Sequence, residues 1–491
     1  MDAAAGATTR IKSGNILASP TTGRMANATN VIQQAWPSTR PEKLTLYAGS
    51  GSFSTTFPCH HQRCMVPNSR NGVLFLTHCS TKPGVDSDNA TNKNAAIELG
   101  SSSTAQQPAT PPQNQTLASG FTRGLLFDLG PKNSWDGVEI GSPVVKRYIG
   151  DDEERWYMWY HGRSDRSNAS DSIGLAVSNN GIHWARGAEH VRSCGDAGLV
   201  MNCRNNWWAF DTEGVRPSEL VIMSSPMYSA VYWLYYTGFS SEEVEFSEVP
   251  NFHLENPERI HRDDKKDENG ANSKILKSLP GLACSQDGRH WARIEGDHHS
   301  GALFDVGSGK DWDSLFIAAP HVVIHNSDDL RMYYHSYDVE NKQFAIGIAR
   351  SRDGIRWVKL GKIIGGGLSG SFDELGVMNA CVVRNKNDGN YLMAYEGVAA
   401  DGNRSIGLAK SSDGLKNWIR AQIEPVLKPS TEDGWDNRGV GFPSLVQMDG
   451  NAEEWRLYYK GVGQEGRTGI GMAASEGSEI TSFRRWAGFH L

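Results

Sequence analysis

The sequence predicts an all-β fold: a five-bladed β-propeller with four antiparallel strands per blade, preceded by a disordered N-terminal segment. Three observations predict it. First, one phrase recurs five times: SNNGIHW (Ser178 to Trp184), SQDGRHW (Ser285 to Trp291), SRDGIRW (Ser351 to Trp357), SSDGLKNW (Ser411 to Trp418) and a worn copy ending at Trp486. Second, each copy closes a longer repeat that reads as four strands, and four antiparallel strands per repeat are the mark of a propeller. Third, an aromatic-Asp pair opens each innermost strand: Trp135-Asp136, Phe210-Asp211, Trp312-Asp313, Phe372-Asp373 and Trp435-Asp436. The Trp copies are spaced by roughly 60 to 70 residues, with one longer interval, which exceeds the WD and kelch periods.

Within a repeat each element has a local reason. In the third, FIAAPHVV (Phe316 to Val323) is a buried apolar run, and LRMYYHS (Leu330 to Ser336) is aromatic and alternating. FAIGIARS (Phe344 to Ser351) follows, then Asp353-Gly354, then IRWVKL (Ile355 to Leu360). Asn-Gly and Asp-Gly predict tight hairpins, in which both turn positions take positive φ. The Trp that follows is expected to start the outer strand. The aromatic-Asp residues, present five times in five, are expected to cap turns or hold neighbouring backbone N–H groups.

Residues 1–119 differ from the rest. They are rich in Ser, Thr, Ala, Asn and Gln, and Asp2 and Glu42 are the only acids before Asp86. Scattered Arg and Lys without a compact apolar core suit an organelle transit peptide, plastid first, with mitochondrion or cytoplasm as alternatives. Ser101 to Gly120 reads as a flexible linker. Residues 120–491 form the propeller, with blades at about 125–190, 207–295, 302–361, 372–421 and 435–491. Residues 240–277 form a charged insertion, read as a loop too long and too polar for a strand.

Composition narrows the function. A chain 38 % hydrophobic and 21 % charged is globular, and a net charge of −7 without a basic tract excludes nucleic acid as partner. No apolar run is long enough to span a bilayer. The CHHQRC cluster (Cys59 to Cys64) holds zinc-ligand residue types but no paired CxxC frame, so neither metal nor cofactor is expected. Oligomeric state is not fixed by sequence.

Departures from the repeat mark the site. The start of strand one and the end of strand two share a face. At the end of strand two the frame is Tyr-x-Gly or close to it (Tyr334-His335-Ser336 in the third repeat), and x is His161, Thr237, His335, Glu396 or Lys460. Around the start of strand one stand Glu139, Glu213, Arg216, Glu374, Asn379 and Arg438. Together they predict a ring of unlike charges at one mouth of a central channel.

The five repeats, the Ile-Gly-Leu-Ala-x-Ser strand (Ile406 to Ser411), the SxDGxxW turn and the Tyr-Tyr-x-Gly strand end resemble the arabinanase, levansucrase and invertase clan of five-bladed propellers. The resemblance covers about Gly120 to Leu491. It implies that inner-strand carboxylates cleave or transfer a sugar. Glu139 matches the first-blade carboxylate in place, and Glu213 matches the second-blade acid. Blade three has FIAAP where many members supply a Glu, and the Asp-Pro and Arg-Asp-Pro phrases of invertases are absent.

Glycoside hydrolysis needs two carboxyl groups, one protonated and one ionised. Glu139, Glu213 and Glu396 are the catalytic candidates, with Glu139 as base and the acid either Glu213, three residues from Arg216, or Glu396. His161, Arg216, His335, Asn379, Arg438 and Lys460 are the substrate-binding candidates, for a small sugar or oligosaccharide. The alternative is a non-catalytic propeller that binds a carbohydrate or phosphorylated metabolite. A sialidase-like propeller would need six blades, and a scaffold would tolerate neutralisation of the ring.

Overall fold

The computed structural model describes residues 123–149, 153–165, 170–187, 189–193, 195–225, 228–246, 260–261, 273–431, 433–449, 454–475 and 480–488. The chain divides into two compact units, Met1–Val73 and Leu74–Leu491, and every described residue belongs to the second. The expected targeting segment and linker (1–119), the Cys59–Cys64 cluster, Cys194 and the middle of the 240–277 insertion lie outside the described residues.

The described chain is all-β and almost free of helix. Strand β1 (Leu125–Phe127) precedes repeat one, which holds β2 (Glu139–Ile149), β3 (Glu154–Arg163), β4 (Ser172–Ser178) and β5 (Gly198–Met201). Repeat two holds β6 (Gly214–Ser225), β7 (Tyr228–Phe246), β8 (Ile260–His261), β9 (Ser273–Ser285) and β10 (Ala292–Ile294). Repeat three holds β11 (Ala318–Asn326), β12 (Asp329–Asp338), β13 (Gln343–Ser351) and β14 (Val358–Ile364). Repeat four holds β15 (Gly376–Arg384), β16 (Tyr391–Val398), β17 (Arg404–Ser411) and β18 (Ile419–Arg420). Repeat five holds β19 (Gly439–Gln447), β20 (Trp455–Val462), β21 (Thr468–Ser475) and β22 (Phe483–Arg485). Strand pairing within each repeat is antiparallel, and parallel bridges join repeats one and two (Asp171 with Gly214) and repeats three and four (Phe344 with Gly376). No helix among the described residues is long and apolar enough to cross a membrane.

Four local readings change. The SxDG phrase is not a two-residue hairpin with both positions at positive φ. Only its glycine is there, at 72°, 71°, 75° and 67° for Gly181, Gly288, Gly354 and Gly414. The preceding Asp keeps negative φ because its side chain shapes the turn. Asp353 Oδ1 accepts from the N–H groups of Ile355 (2.9 Å) and Arg356 (2.8 Å), and Ser351 Oγ accepts from Gly354 N–H (2.8 Å). In repeat one the outer strand is Gly198–Met201 rather than the segment that starts at Trp184, of which only Ala185 bridges to Val177. Val200 and Met201 are buried, and an apolar edge covers the sheet better than His183 and Arg186 would. Leu125–Phe127, read as part of repeat one, pair instead with β21 of repeat five. The insertion is not loop throughout. Its ends extend β7 and β9 as a paired arm, Val244 with Ile275 and Glu243 with Leu276, because Ile275, with Val244 against it, buries among Phe316, Phe344 and Met378.

Hydrophobic clusters fill the seams between consecutive repeats. Trp159 meets Val215 and Leu234 between repeats one and two, Tyr235 meets Val322 between two and three, and Tyr333 meets Val377 between three and four. Leu392 meets Val440 between four and five, and Tyr458 with Met472 meets Ile140 and Trp156 between five and one. Inner strands touch in the same cyclic order: β2, β6, β11, β15, β19 and back to β2. Hydrogen bonds stitch the seams at the SxDG turns. Gly288, Gly354 and Gly414 carbonyls accept from Trp159 Nε1 (3.0 Å), Tyr235 OH (3.0 Å) and Tyr333 OH (2.6 Å). Gly181 O accepts from Tyr458 OH of repeat five (2.9 Å).

The aromatic-Asp pairs do more than cap turns. Asp136, Asp211, Asp313, Asp373 and Asp436 accept from the Tyr hydroxyls of Tyr-x-Gly or its variant, at 2.9, 3.1, 3.0, 3.0 and 2.9 Å. Each also pairs with a cation from the repeat's last segment: Arg186, Arg293, Lys359, Arg420 and Arg485, at 3.2, 2.7, 2.8, 2.6 and 2.8 Å. A buried carboxylate needs such partners, and a capped turn would leave it one short. The aromatic partner lies against the third strand so closely that a Cβ on Gly347 would come 2.2 Å from the Trp312 ring.

Candidate functional site

The five ties fix the end of the second strand, and that end carries the hub residues. Opposite it, each inner strand breaks register: between Gly141 and Val144, Pro217 and Glu219, Ala318 and His321, Met378 and Cys381, and Gly441 and Ser444. Ser142, Ala319, Asn379 and Phe442 have φ of 46°, 51°, 50° and 47° there. Such bulges turn backbone N–H groups away from the ladder and towards the hub.

Three hub side chains take up those N–H groups across a seam. Thr237 Oγ1 accepts from Ala319 N–H (2.8 Å), His335 Nδ1 from Asn379 N–H (3.3 Å), and Glu396 Oε2 from Phe442 N–H (3.0 Å). Lys460 accepts no hydrogen bond and instead crosses to repeat one, where Nζ donates to Glu139 Oε1 (2.7 Å). Residues that differ in chemistry therefore share one position and, in three repeats, one task.

Glu139 is the centre of the densest cluster. Lys460 and Arg163 hold its two oxygens, and His161 Nε2 lies 3.6 Å from Oε1. Burial alone would raise this carboxyl; Lys460, His161 and Arg216 outweigh it and hold it well below the usual carboxylate range. Burial, with Arg216 nearby, pushes the His161 ring down to about 4, so it is neutral at pH 7. Burial also lowers the Lys460 ammonium, against the pull of Glu139. Arg216 Nε and Nη2 reach Asp171 Oδ2 at 2.7 and 2.6 Å, so its ion-pair partner is Asp171 rather than Glu213.

A cavity opens above this cluster, with all five inner strands contributing to its wall. Arg216, His335 and Asn379 line it, together with Phe239, Phe442 and Ser142. Glu139, His161 and Lys460 are buried beside it, and Glu396 is tied to Asn379 Nδ2 (2.8 Å) and Arg404 (3.1 Å). Seven of the nine candidates are thus brought together. Glu213 is half-buried and does not line the cavity, its N–H bonded to the Phe239 carbonyl (2.8 Å), and Arg438 is exposed.

The sequence reading did not single out Glu219, His321, Lys146 and Asp171. Val144, Glu219, His321, Cys381 and Ser444 occupy one equivalent position, just past each bulge. Burial would raise Glu219, but Lys146 and His321 bring it down to about 2. A signal existed: Pro143, Pro217, Pro320 and Pro443 stand inside inner strands, and a proline within a strand marks a bulge.

No family model matches the chain, and no curated protein matches it. Solved structures that it resembles include a glycoside hydrolase, at 15 % identity and TM-score 0.49, covering 75 % of this chain and 94 % of the other. A glycosyl hydrolase from Bacteroides ovatus matches at 13 % identity and TM-score 0.48, covering 77 % and 95 %. The β-1,2-mannobiose phosphorylase from Listeria innocua matches at 12 % identity and TM-score 0.47, covering 72 % and 94 %.

Proposed function

We propose that residues 120–491 close as one five-bladed propeller whose Glu139 mouth binds a sugar or short oligosaccharide and acts on a glycosidic bond. The observation that carries this is the Glu139 carboxylate: buried, held by Lys460 and Arg163 from two repeats, and set beside a cavity lined by Arg216, His335 and Asn379. An ionised and fixed carboxylate is what a base or nucleophile at a sugar carbon requires, and guanidinium and amide donors suit hydroxyl groups. Glu396 and Glu213 are the candidates for the acid.

A second reading is binding without cleavage. One observation favours it: both Glu396 oxygens are engaged inside the protein, by Arg404 and by Asn379 with Phe442 N–H. The test is a panel of aryl glycosides and oligosaccharides, with Glu139→Gln beside the unaltered chain. The enzyme reading expects turnover to fall by roughly 10²–10⁴-fold while calorimetric sugar binding persists. Binding without turnover in the unaltered chain selects the second reading, and neither binding nor turnover overturns both.

A further inference from the structure

The seam between repeats one and two holds an ion pair that the repeat does not call for. Two positions meet at the seams. Opposite Tyr160, Tyr236, Tyr334, Tyr395 and Tyr459 the facing strand carries glycine, and three residues before each glycine stand Asp171, Ser278, Phe344, Arg404 and Thr468. Opposite His161, Thr237, His335, Glu396 and Lys460 the inner strands carry Gly141, Arg216, Ala318, Met378 and Gly441.

The other seams close at these positions without such a pair. Phe344 and Met378 share one apolar cluster between repeats three and four. Ser278 Oγ donates to the Ile317 carbonyl (3.2 Å) between repeats two and three, and Thr468 Oγ1 accepts from Ile140 N–H (2.9 Å) between repeats five and one. Arg404 turns to Glu396 of its own repeat (3.1 Å). Asp171 and Arg216 are both buried, so their pair carries a desolvation cost that the Phe344–Met378 version avoids.

The geometry of the pair fixes one group in the mouth. Asp171 is held by its backbone: its carbonyl accepts from Val215 N–H (3.0 Å), beside the bridge to Gly214. Arg216 Nε donates to Asp171 Oδ2 (2.7 Å), and Nη2 lies 2.6 Å from the same oxygen. The guanidinium carbon stands 5.1 Å from the Phe239 ring centroid, and Arg216 and Phe239 both line the cavity, whereas Asp171 does not. A carboxylate on one edge and an aromatic ring on one face set the orientation of the planar guanidinium.

We propose that Asp171 is a positioning residue for the Glu139 mouth: it holds the Arg216 guanidinium so that Arg216 donates to a hydroxyl oxygen of the bound sugar. This role presupposes that the mouth binds a sugar. A requirement of the fold does not account for the pair, because the same two positions close four other seams without it.

The test uses the full chain and, as probe, the member of the glycoside and oligosaccharide panel that the unaltered chain binds most tightly in calorimetry. Asp171→Asn keeps Arg216 but removes its holder, and should weaken that sugar by roughly tenfold or more. The apolar pair Asp171→Leu with Arg216→Met, patterned on Phe344 and Met378, should fold and bind the sugar no better than Asp171→Asn does. Arg216→Ala should regain affinity in millimolar guanidinium chloride, and Asp171→Asn with Arg216→Ala should not. This rescue decides the matter if either of the first two variants does not fold, and a purely structural Asp171 would not affect it. Unchanged affinity in Asp171→Asn, normal sugar binding by the apolar pair or rescue without Asp171 would each overturn this role alone. No sugar bound by the unaltered chain would overturn it together with the function proposed for the mouth.

Discussion

His161 sits with Ser142 Oγ 3.0 Å from Nδ1 and Glu139 3.6 Å from Nε2, fully buried. An unfolded histidine takes up its proton near pH 6.5, this one near 4. Between those values the unfolded chain holds the extra proton, so stability is full above about pH 6.5 and declines as pH falls towards about 4. Denaturant unfolding at about pH 7 and about pH 5 should show this loss, of up to about 3 kcal/mol by pH 4, and His161→Gln should remove most of it. The partner cation behaves differently. Lys460→Met removes one of the cations that hold Glu139 and should cost roughly 3–5 kcal/mol, because a buried charge loses a partner. Combining it with Glu139→Gln should recover part of that cost in a double-mutant cycle. The sequence made Glu139, His161 and Lys460 candidates because they interrupt a repeat. It made Glu213 one for the same reason, although Glu213 is only half-buried and lies outside the Glu139–His161–Lys460 ion-pair cluster. A break in a repeat marks difference; it does not give direction, which depends on which side of the strand faces the hub.

At the scale of the element, the tie between loop, second strand and last segment explains why three separated positions recur together. Tyr160→Phe, Tyr236→Phe, Tyr334→Phe, Tyr395→Phe and Tyr459→Phe each remove one donor to a buried carboxylate and should each cost about 1.5–3 kcal/mol in chemical unfolding. Near-equal values are expected, because the five geometries agree to within 0.2 Å. Gly347→Ala should cost about 1–3 kcal/mol, since its Cβ would meet the Trp312 ring at 2.2 Å. The motif residues were all visible in sequence as turns and strand ends. Their bonding was not, because Asp313 and Tyr334 are 21 residues apart and meet only when the strands pair. The bulges were hidden for a related reason: prolines were visible, but the pairing register that turns one into a bulge belongs to two strands at once.

For the molecule as a whole, the seam between repeats five and one is made by residues from both ends of the described chain. Phe127 packs edge-on against Tyr160 at 4.9 Å, within the cluster that also holds Tyr458 and Met472. Phe127→Ala should cost roughly 3–5 kcal/mol and lower the midpoint of the whole cooperative transition, read by near-ultraviolet dichroism during heating. At the seam between repeats four and five, repeat four offers no donor for such a stitch. Ala394 stands where the other repeats have Trp or Tyr. The sequence by itself determined the strand character, the repeat and the hub positions, because side-chain alternation and turn chemistry are local. Tertiary structure decided which carboxylates acquire partners, that β1 joins the last repeat, and that Glu219 meets His321. Those outcomes depend on register and on contacts between strands far apart in the chain, and no local pattern encodes either.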